Sequence, residues 1–533
     1  MQGEAPADMA VDTPAWVRDA IFYEVFPDRF ARSASADAAP SSALEAWDAP
    51  PTTFGFKGGD LRGIVERLDH VAGLGVNALY LTPIFQSASN HRYHTYDYLA
   101  VDPLLGGTDA LRELLDAAHR RGMRVILDGV FNHTGRGFWP FHHVVETGAA
   151  SPYRGWFHFD QAALDARVPL DPYPEAQRRR TGGSGRPSGG PGGPGGSGGS
   201  LARLGYQAWW DLPALPKLNI DEPAVREYVW SVAEHWLRFG ADGWRLDVPG
   251  EIQDPGFWAE FRARCRAVNP EAYLVGEIWD VAPDWTSDQR FDGLINYPLA
   301  EAVIGFVAGD SLDGRLARSH QQYARIERSD GAGFAARLGG LLGAYDPAVT
   351  AAQLNLLDSH DTPRLASLLR GDRVAIELAV LLQATLPGAP CLYYGGEIGL
   401  RGGLDPDNRR AMPWDEATWD RELLDFVRAA FATRRAEPLL RHGELEVLAT
   451  AGGALAFERR RSDEPAPSLV VALNAGRAAV TLDVGGPVRR EPAPAVLPLP
   501  GLAAPAIELA DDGRLRLGLA PRSGAIVRIH AGG

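Results

Sequence analysis

The chain has 533 residues, 45% hydrophobic and 23% charged, with a formal net charge of −15. That length exceeds one ordinary core and predicts two or three domains. The acidic balance argues against nucleic acid or an anionic membrane as the main partner, and no apolar stretch approaches the ~18 residues that span a bilayer.

Lys57 and Lys217 are the only lysines, so nearly every cation is an arginine. Cys265 and Cys391 are the only cysteines. One lies in a helix-like stretch and the other in a strand-like one, which argues against a disulfide framework or a zinc site. The start, MQGEAPADMAVDTPAWVRDA, has no basic end and no apolar core. It predicts no secretion signal and a cytoplasmic enzyme or binding protein.

From about residue 20, short apolar runs alternate with helix-length amphipathic segments. AIFYEVF (20–26) precedes a helix near 60–74, and VNALYLTP (76–83) precedes one near 107–121. MRVILDGVFNH (123–133) reads as a buried strand with a polar end. A helix near 223–239 leads to ADGWRLDV (241–248), and one near 255–267 leads to AYLVGEIW (272–279). FDGLINY (291–297), AAQLNLLDSHD (351–361) and APCLYYGGE (389–397) follow, and a helix near 420–435 closes the series. Eight strands separated by helices predict an α/β fold with a parallel sheet, a count that suits a (β/α)8 barrel over 14–133 and 206–435.

The gap 134–205 is too long for a simple loop and reads as a small excursion domain after the third strand. Inside it, the Gly-rich stretch 181–200 cannot bury enough apolar surface to offset its ordering entropy, which predicts disorder. Past about 436, short alternating runs such as LEVLAT, SLVVALN and AIVRIH predict a C-terminal antiparallel β-sandwich over 436–533.

Charged residues recur where these strands end. Asp128, Asn132 and His133 follow the third strand, Arg245 and Asp247 the fourth, Glu277 the fifth, and His360 and Asp361 the seventh. A lone strand-end acid is most simply a cap or an ion pair. All of them at the same end of successive strands point to one site, because unpaired buried charge is costly and barrel sites form at the carboxyl ends of strands.

The residues then carry a resemblance. DGVFNH (128–133), GWRLDV (243–248), GEIW (276–279) and LLDSHD (356–361) resemble, in order, the four short conserved segments of the α-amylase family, glycoside hydrolase family 13. LPKLN (215–219) resembles the fifth, and the likeness covers roughly 16–435. HRYHTYDYLAVDP (91–103), NYPLAEAV (296–303), HDTPR (360–364) and GGLDPDNRRAMPWD (402–415) are most similar to the neopullulanase, cyclomaltodextrinase and maltogenic amylase group.

The resemblance implies a retaining hydrolase of α-1,4-glucosidic bonds in α-glucans, with maltooligosaccharides, cyclodextrins, pullulan or starch as the partner. Asp247 would be the nucleophile and Glu277 the acid and base, about 5–5.5 Å apart as retention requires. Arg245 would hold Asp247 ionised, and Asp361 would grip ring hydroxyls. His133, His360, Tyr93, Asp405, Arg409, Trp279 and Glu251 would bind substrate. An exo-acting α-glucosidase or a transglycosylase of the same family stays open, as does the oligomeric state. A non-catalytic relative that partners a membrane transporter is disfavoured by the intact set Asp247, Glu277 and Asp361.

No cofactor is expected for the chemistry. A structural calcium ion is an expectation at Asn132, which matches a frequent ligand position. The group's other calcium loop, after the first strand, keeps GGD (58–60) but has few oxygen ligands here. VPGE also replaces the usual Ala-Asn before Glu251, and His94 stands where the group usually has an acid.

Overall fold

The computed structural model describes residues 12–34, 44–174, 199–287, 290–461, 467–489, 491–511 and 513–530. The stretch 181–200 therefore lies outside the described residues, except Gly199 and Ser200, which open a helix, Gly199–Leu204.

Eight parallel strands form the central sheet. They are β1 (Phe22–Val25), β2 (Ala78–Leu81), β3 (Arg124–Gly129), β4 (Gly243–Leu246), β5 (Tyr273–Gly276), β6 (Gly293–Leu294), β7 (Leu354–Asn355) and β8 (Ala389–Tyr393). Each pairs with its neighbour in sequence except β6 with β7, and β8 pairs with β1. A parallel bridge from Ile295 to Leu354 joins β6 to β7 and closes the (β/α)8 barrel. Strands β1, β2 and β4 are buried at every position, as sheets covered on both faces must be. Gly243 is required where β4 meets β5, because a Cβ there would lie 2.1 Å from the Tyr273 carbonyl oxygen.

Helices sheathe the barrel. Gly107–Arg120 buries Ala110, Leu111, Leu114, Leu115, Ala117 and Ala118, an apolar stripe of helical spacing. Pro223–Phe239 starts on a proline and stops at Gly240, whose φ of 120° no other residue adopts readily. Pro255–Val268 and Arg421–Ala436 match the sequence expectation within a residue or so, and the segment near 60–74 is split at Arg67. Between β6 and β8 the chain adds Tyr297–Val307, Gly331–Gly343 and Arg373–Thr385, which the sequence reading did not place.

The excursion leaves the barrel at His133 and carries the helix Trp139–Thr147. Bridges join Phe159 to Tyr206, Phe157 to Leu218, Ala208 to Pro216 and His133 to Lys217. Its pairing thus continues past residue 205, almost to the helix that starts at Pro223.

After the barrel come β9 (Glu444–Ala451), β10 (Ala454–Arg460), β11 (Ser468–Asn474), β12 (Val480–Pro487), β13 (Ala495–Leu497), β14 (Ala506–Leu509), β15 (Arg514–Leu519) and β16 (Ser523–Ile529). They form two antiparallel sheets, β9-β10-β11-β16-β13 and β12-β15-β14, over a shared apolar core. Two buried arginines tie this sandwich to the barrel. Arg459 of β10 donates to the carbonyls of Thr385, Leu440 and Gly443. Arg434 of the last barrel helix donates to those of Ala384, Leu386, Gly388 and Leu440. Both guanidinium groups thus meet the buried carbonyl end of the helix Arg373–Thr385, where a helix favours positive charge.

Candidate active site

The ladder of the barrel sets the site. Register places Arg245 beside Asp128 and Leu246 beside Gly276. One step further, the Asp247 N–H donates to Gly129 O and the Glu277 N–H to Leu246 O. Asp128, Arg245, Asp247 and Glu277 therefore come together at one rim.

Arg245 is the hub. Its Nη1 donates to both oxygens of Asp128 at 2.8 and 3.0 Å and to Asp247 Oδ1 at 3.0 Å. Its Nη2 makes ion-pair contacts with Glu277 Oε2 at 2.9 Å and Asp361 Oδ2 at 3.9 Å. Tyr80 and Tyr93 each hold a ring centroid 5.9 Å from the guanidinium carbon. Arg245 contacts Asp247, as the sequence reading expects, and also three further acids: one buried cation is divided among four carboxylates.

Burial first, and then these charges, set the titration. Burial raises the Glu277 carboxyl; Arg245 and the Val248 N–H oppose the rise, while Asp361 adds to it. Burial also raises Asp247; Arg245 opposes the rise, while Glu277, Asp128 and Asp361 add to it. The two titrate as a unit, so a proton held on one favours ionisation of the other.

A second group faces them from β1 and the loop after β7. His360 Nδ1 lies 2.5 Å from Glu24 Oε1, and its Nε2 lies 3.0 Å from Asp361 Oδ2. Burial disfavours the imidazolium, yet Asp361 and Glu24 hold it and push its pKa up to about 10. Burial pushes Asp361 upward in turn, but His360, Arg409 and Arg245 outweigh it and keep this carboxylate well below its usual range. Tyr93 links the halves: its hydroxyl donates to Asp128 Oδ2 at 2.8 Å and lies 2.7 Å from His360 Nε2.

The remaining expected residues divide. Arg409 contacts Asp361 Oδ1 at 3.3 Å and Asp405 Oδ1 at 3.1 Å, and so joins the cluster, with Asp405 on its exposed side. Trp279 Nε1 donates to Glu277 Oε1 at 3.1 Å, and its ring stacks on Tyr297 at 4.9 Å. His133 is buried and neutral: burial first, then His94, lowers its pKa to about 3. Glu251 is not part of the Arg245 group. It is 40% exposed and paired with Lys217 Nζ at 3.2 Å, because its short helical turn carries it away from the strand end.

Three contributors escaped the sequence reading. Glu24 and Tyr80 sit on β1 and β2, inside runs read only as strands; Tyr80 donates to Asp128 Oδ2 at 2.8 Å. Glu24 interrupts FYEV as plainly as Arg245 interrupts GWRL, so the same buried-charge argument finds it. Val248 carries no such signal. This β-branched residue adopts φ 36° and ψ 51°, a left-handed conformation costly for its type, and aims its N–H at Glu277 Oε2, 3.0 Å away.

The sequence reading places a divalent cation at Asn132 alone and finds the loop after β1 poor in oxygen ligands. Asn132 Oδ1 is buried without a partner, but among the described residues no group of three or more His, Cys, Asp or Glu could hold a metal. In the described part of the loop after β1, buried Lys57 donates through Nζ to the Ala46 and Ala49 carbonyls and lies 3.4 Å from Glu45 Oε2. A covalently tethered cation already uses those acceptors.

Among the described residues no helix is long and apolar enough to cross a membrane. The α-amylase catalytic domain matches residues 24–432. A cyclomaltodextrinase from Bacillus sp is 39% identical over 88% of this chain and 75% of its own length. Neopullulanase 2 of Thermoactinomyces vulgaris is 38% identical over 81% of this chain, which spans 65% of that relative. The debranching enzyme of Nostoc punctiforme, solved from an acarbose-soaked crystal, superposes with a TM-score of 0.79 at 41% identity, covering 97% of this chain and 99% of that one. With the barrel closed and its acids gathered at one rim, the chain belongs to the α-amylase family and is a glycoside hydrolase.

Proposed function

We propose that the protein hydrolyses α-1,4-glucosidic bonds of maltooligosaccharides and related α-glucans with retention of configuration. The observation that carries this reading is the pairing of Asp247 and Glu277, on neighbouring strands, across one guanidinium. Retention needs a nucleophile and an acid that becomes the base.

The charge balance supports that division of labour. A proton on Glu277 removes its repulsion of Asp247 and leaves the Arg245 contact to keep Asp247 ionised. Asp247 then attacks the anomeric carbon, and Glu277 protonates the departing oxygen. In the second half, Glu277 takes a proton from water as that water displaces Asp247. Asp361, clamped by His360 and Arg409, is the fixed anion for ring hydroxyls. Names of the relatives support cyclodextrins and pullulan as further substrates.

The test is proton NMR of fresh product with maltotriose, cyclodextrin, pullulan and starch. The reading expects α-anomers to appear first and mutarotate later. First-formed β-anomers would overturn retention, and no turnover on any of the four would overturn the α-glucan reading.

A further inference from the structure

Trp209 and Trp210 stand where the excursion returns to the barrel. Ala208 pairs with Pro216, and Lys217 pairs with His133. The Trp209 ring lies 4.7 Å from that of His133, inclined by 6°. The Trp210 ring lies 4.6 Å from Trp209, inclined by 19°. Three near-parallel rings therefore run from the buried rim of the site outward.

The outer end contributes little to the fold. Trp210 is 51% exposed. Its backbone is left-handed, φ 52° and ψ 26°, and Asp211 follows at φ 57°. Side chains with a Cβ rarely adopt that region, and two in succession persist only where the surroundings impose them. Arg203 Nη2 does so by donating to Asp211 O at 2.8 Å. The inner ring has a gap of its own: Trp209 Nε1 is buried with no hydrogen-bond partner among the described residues.

Resting on the α-glucan reading above, we propose that Trp209 and Trp210 form a distal glucosyl platform that sets the preference for longer chains. The free face of Trp210 takes the apolar face of a sugar ring, a pairing that removes water from both at little entropic cost. Continuity with His133 favours a glucan over a protein partner, because the line of rings leads into the site. A purely structural Trp210 would shield Trp209 and affect all substrates alike.

The test compares maltotriose with maltoheptaose in wild type, Trp210→Ala and Trp210→Phe. The platform predicts that Trp210→Ala lowers kcat/KM on maltoheptaose about tenfold through KM, the scale of one lost stacking contact, and changes maltotriose less than twofold. Trp210→Phe restores part of the loss, and thermal unfolding of the variants checks that the fold is kept. Equal losses on both substrates, or none on either, would overturn the platform. A wild type inactive on both chains but folded would instead count against the α-glucan reading itself.

Discussion

A single oxygen of Glu24, Oε1, accepts from both the backbone N–H and the ring Nδ1 of His360, at 3.2 and 2.5 Å. The carboxylate on β1 thereby fixes the ring whose other nitrogen faces Asp361 and Tyr93. It also supplies half of the negative charge that keeps the imidazole protonated. Glu24 is a positioning residue, since it reaches the sugar site only through His360.

Replacing that charge tests the arrangement. Glu24→Gln keeps the shape and removes one of the two anions that raise His360, so deprotonation moves to lower pH. The alkaline limb of kcat/KM should shift acidward by a unit or more, as expected for loss of an adjacent opposite charge. The groups facing His360 that remain are Asp361, Tyr93, His91, Arg409 and Glu277. An unchanged pH profile in a folded variant would remove this role.

The same pair predicts stability against pH. His360 is raised in the folded state, so its contribution is whole below about 6.5 and declines as pH rises toward about 10. Asp361 is lowered, so its contribution is present above about 3.9 and is lost in acid. Tm measured across pH should therefore fall on the alkaline side in wild type, and fall earlier in Glu24→Gln. Coincident alkaline limbs would contradict the linkage.

The domain junction gives a prediction free of the chemistry. Arg459→Met keeps the bulk but takes the donor from the Thr385 and Gly443 carbonyls, Leu440 keeping Arg434, at a cost on the order of 3 kcal/mol. Urea unfolding should show that loss, with kcat on maltotriose unchanged once folded. A stability change below about 0.5 kcal/mol would mean the clamp is dispensable.

Metal removal tests Lys57 as the resident cation of its loop. A chelator should leave Tm unchanged, because the acceptors are already satisfied by Nζ, whereas a tight metal site would show a clear drop. Lys57→Met should lower Tm by leaving the Ala46 and Ala49 carbonyls without their donor and taking one cation from Glu45. A chelator-induced fall would restore the calcium expectation at Asn132 or nearby.

How far the sequence could be read followed how residues are buried. The barrel strands were legible because each is a short apolar run and four of them end in charge, and DGVFNH and GWRLDV mark the rim directly. Helices with one wet face, such as Gly107–Arg120, were legible for their stripe. Tyr297–Val307 and Arg373–Thr385 are buried almost all round, so no polar period marks them. Gly331–Gly343 is glycine-rich enough to resemble a loop. In the site, motif spacing found Asp247 and Glu277, but sharing of Arg245 among four acids depends on contacts between strands. Glu251 was named because it falls where the related group carries a glutamate after the nucleophile strand, and a turn of helix separates it from Asp247 in space.

The most direct test of the central claim uses Glu277→Gln with α-glucosyl fluoride, whose leaving group needs no acid. Loss of the base should then trap the sugar on the enzyme, and mass spectrometry of the digested protein should find one glucosyl group esterified to Asp247. A glucosyl group on another residue, or none while wild type turns the fluoride over, would contradict the account.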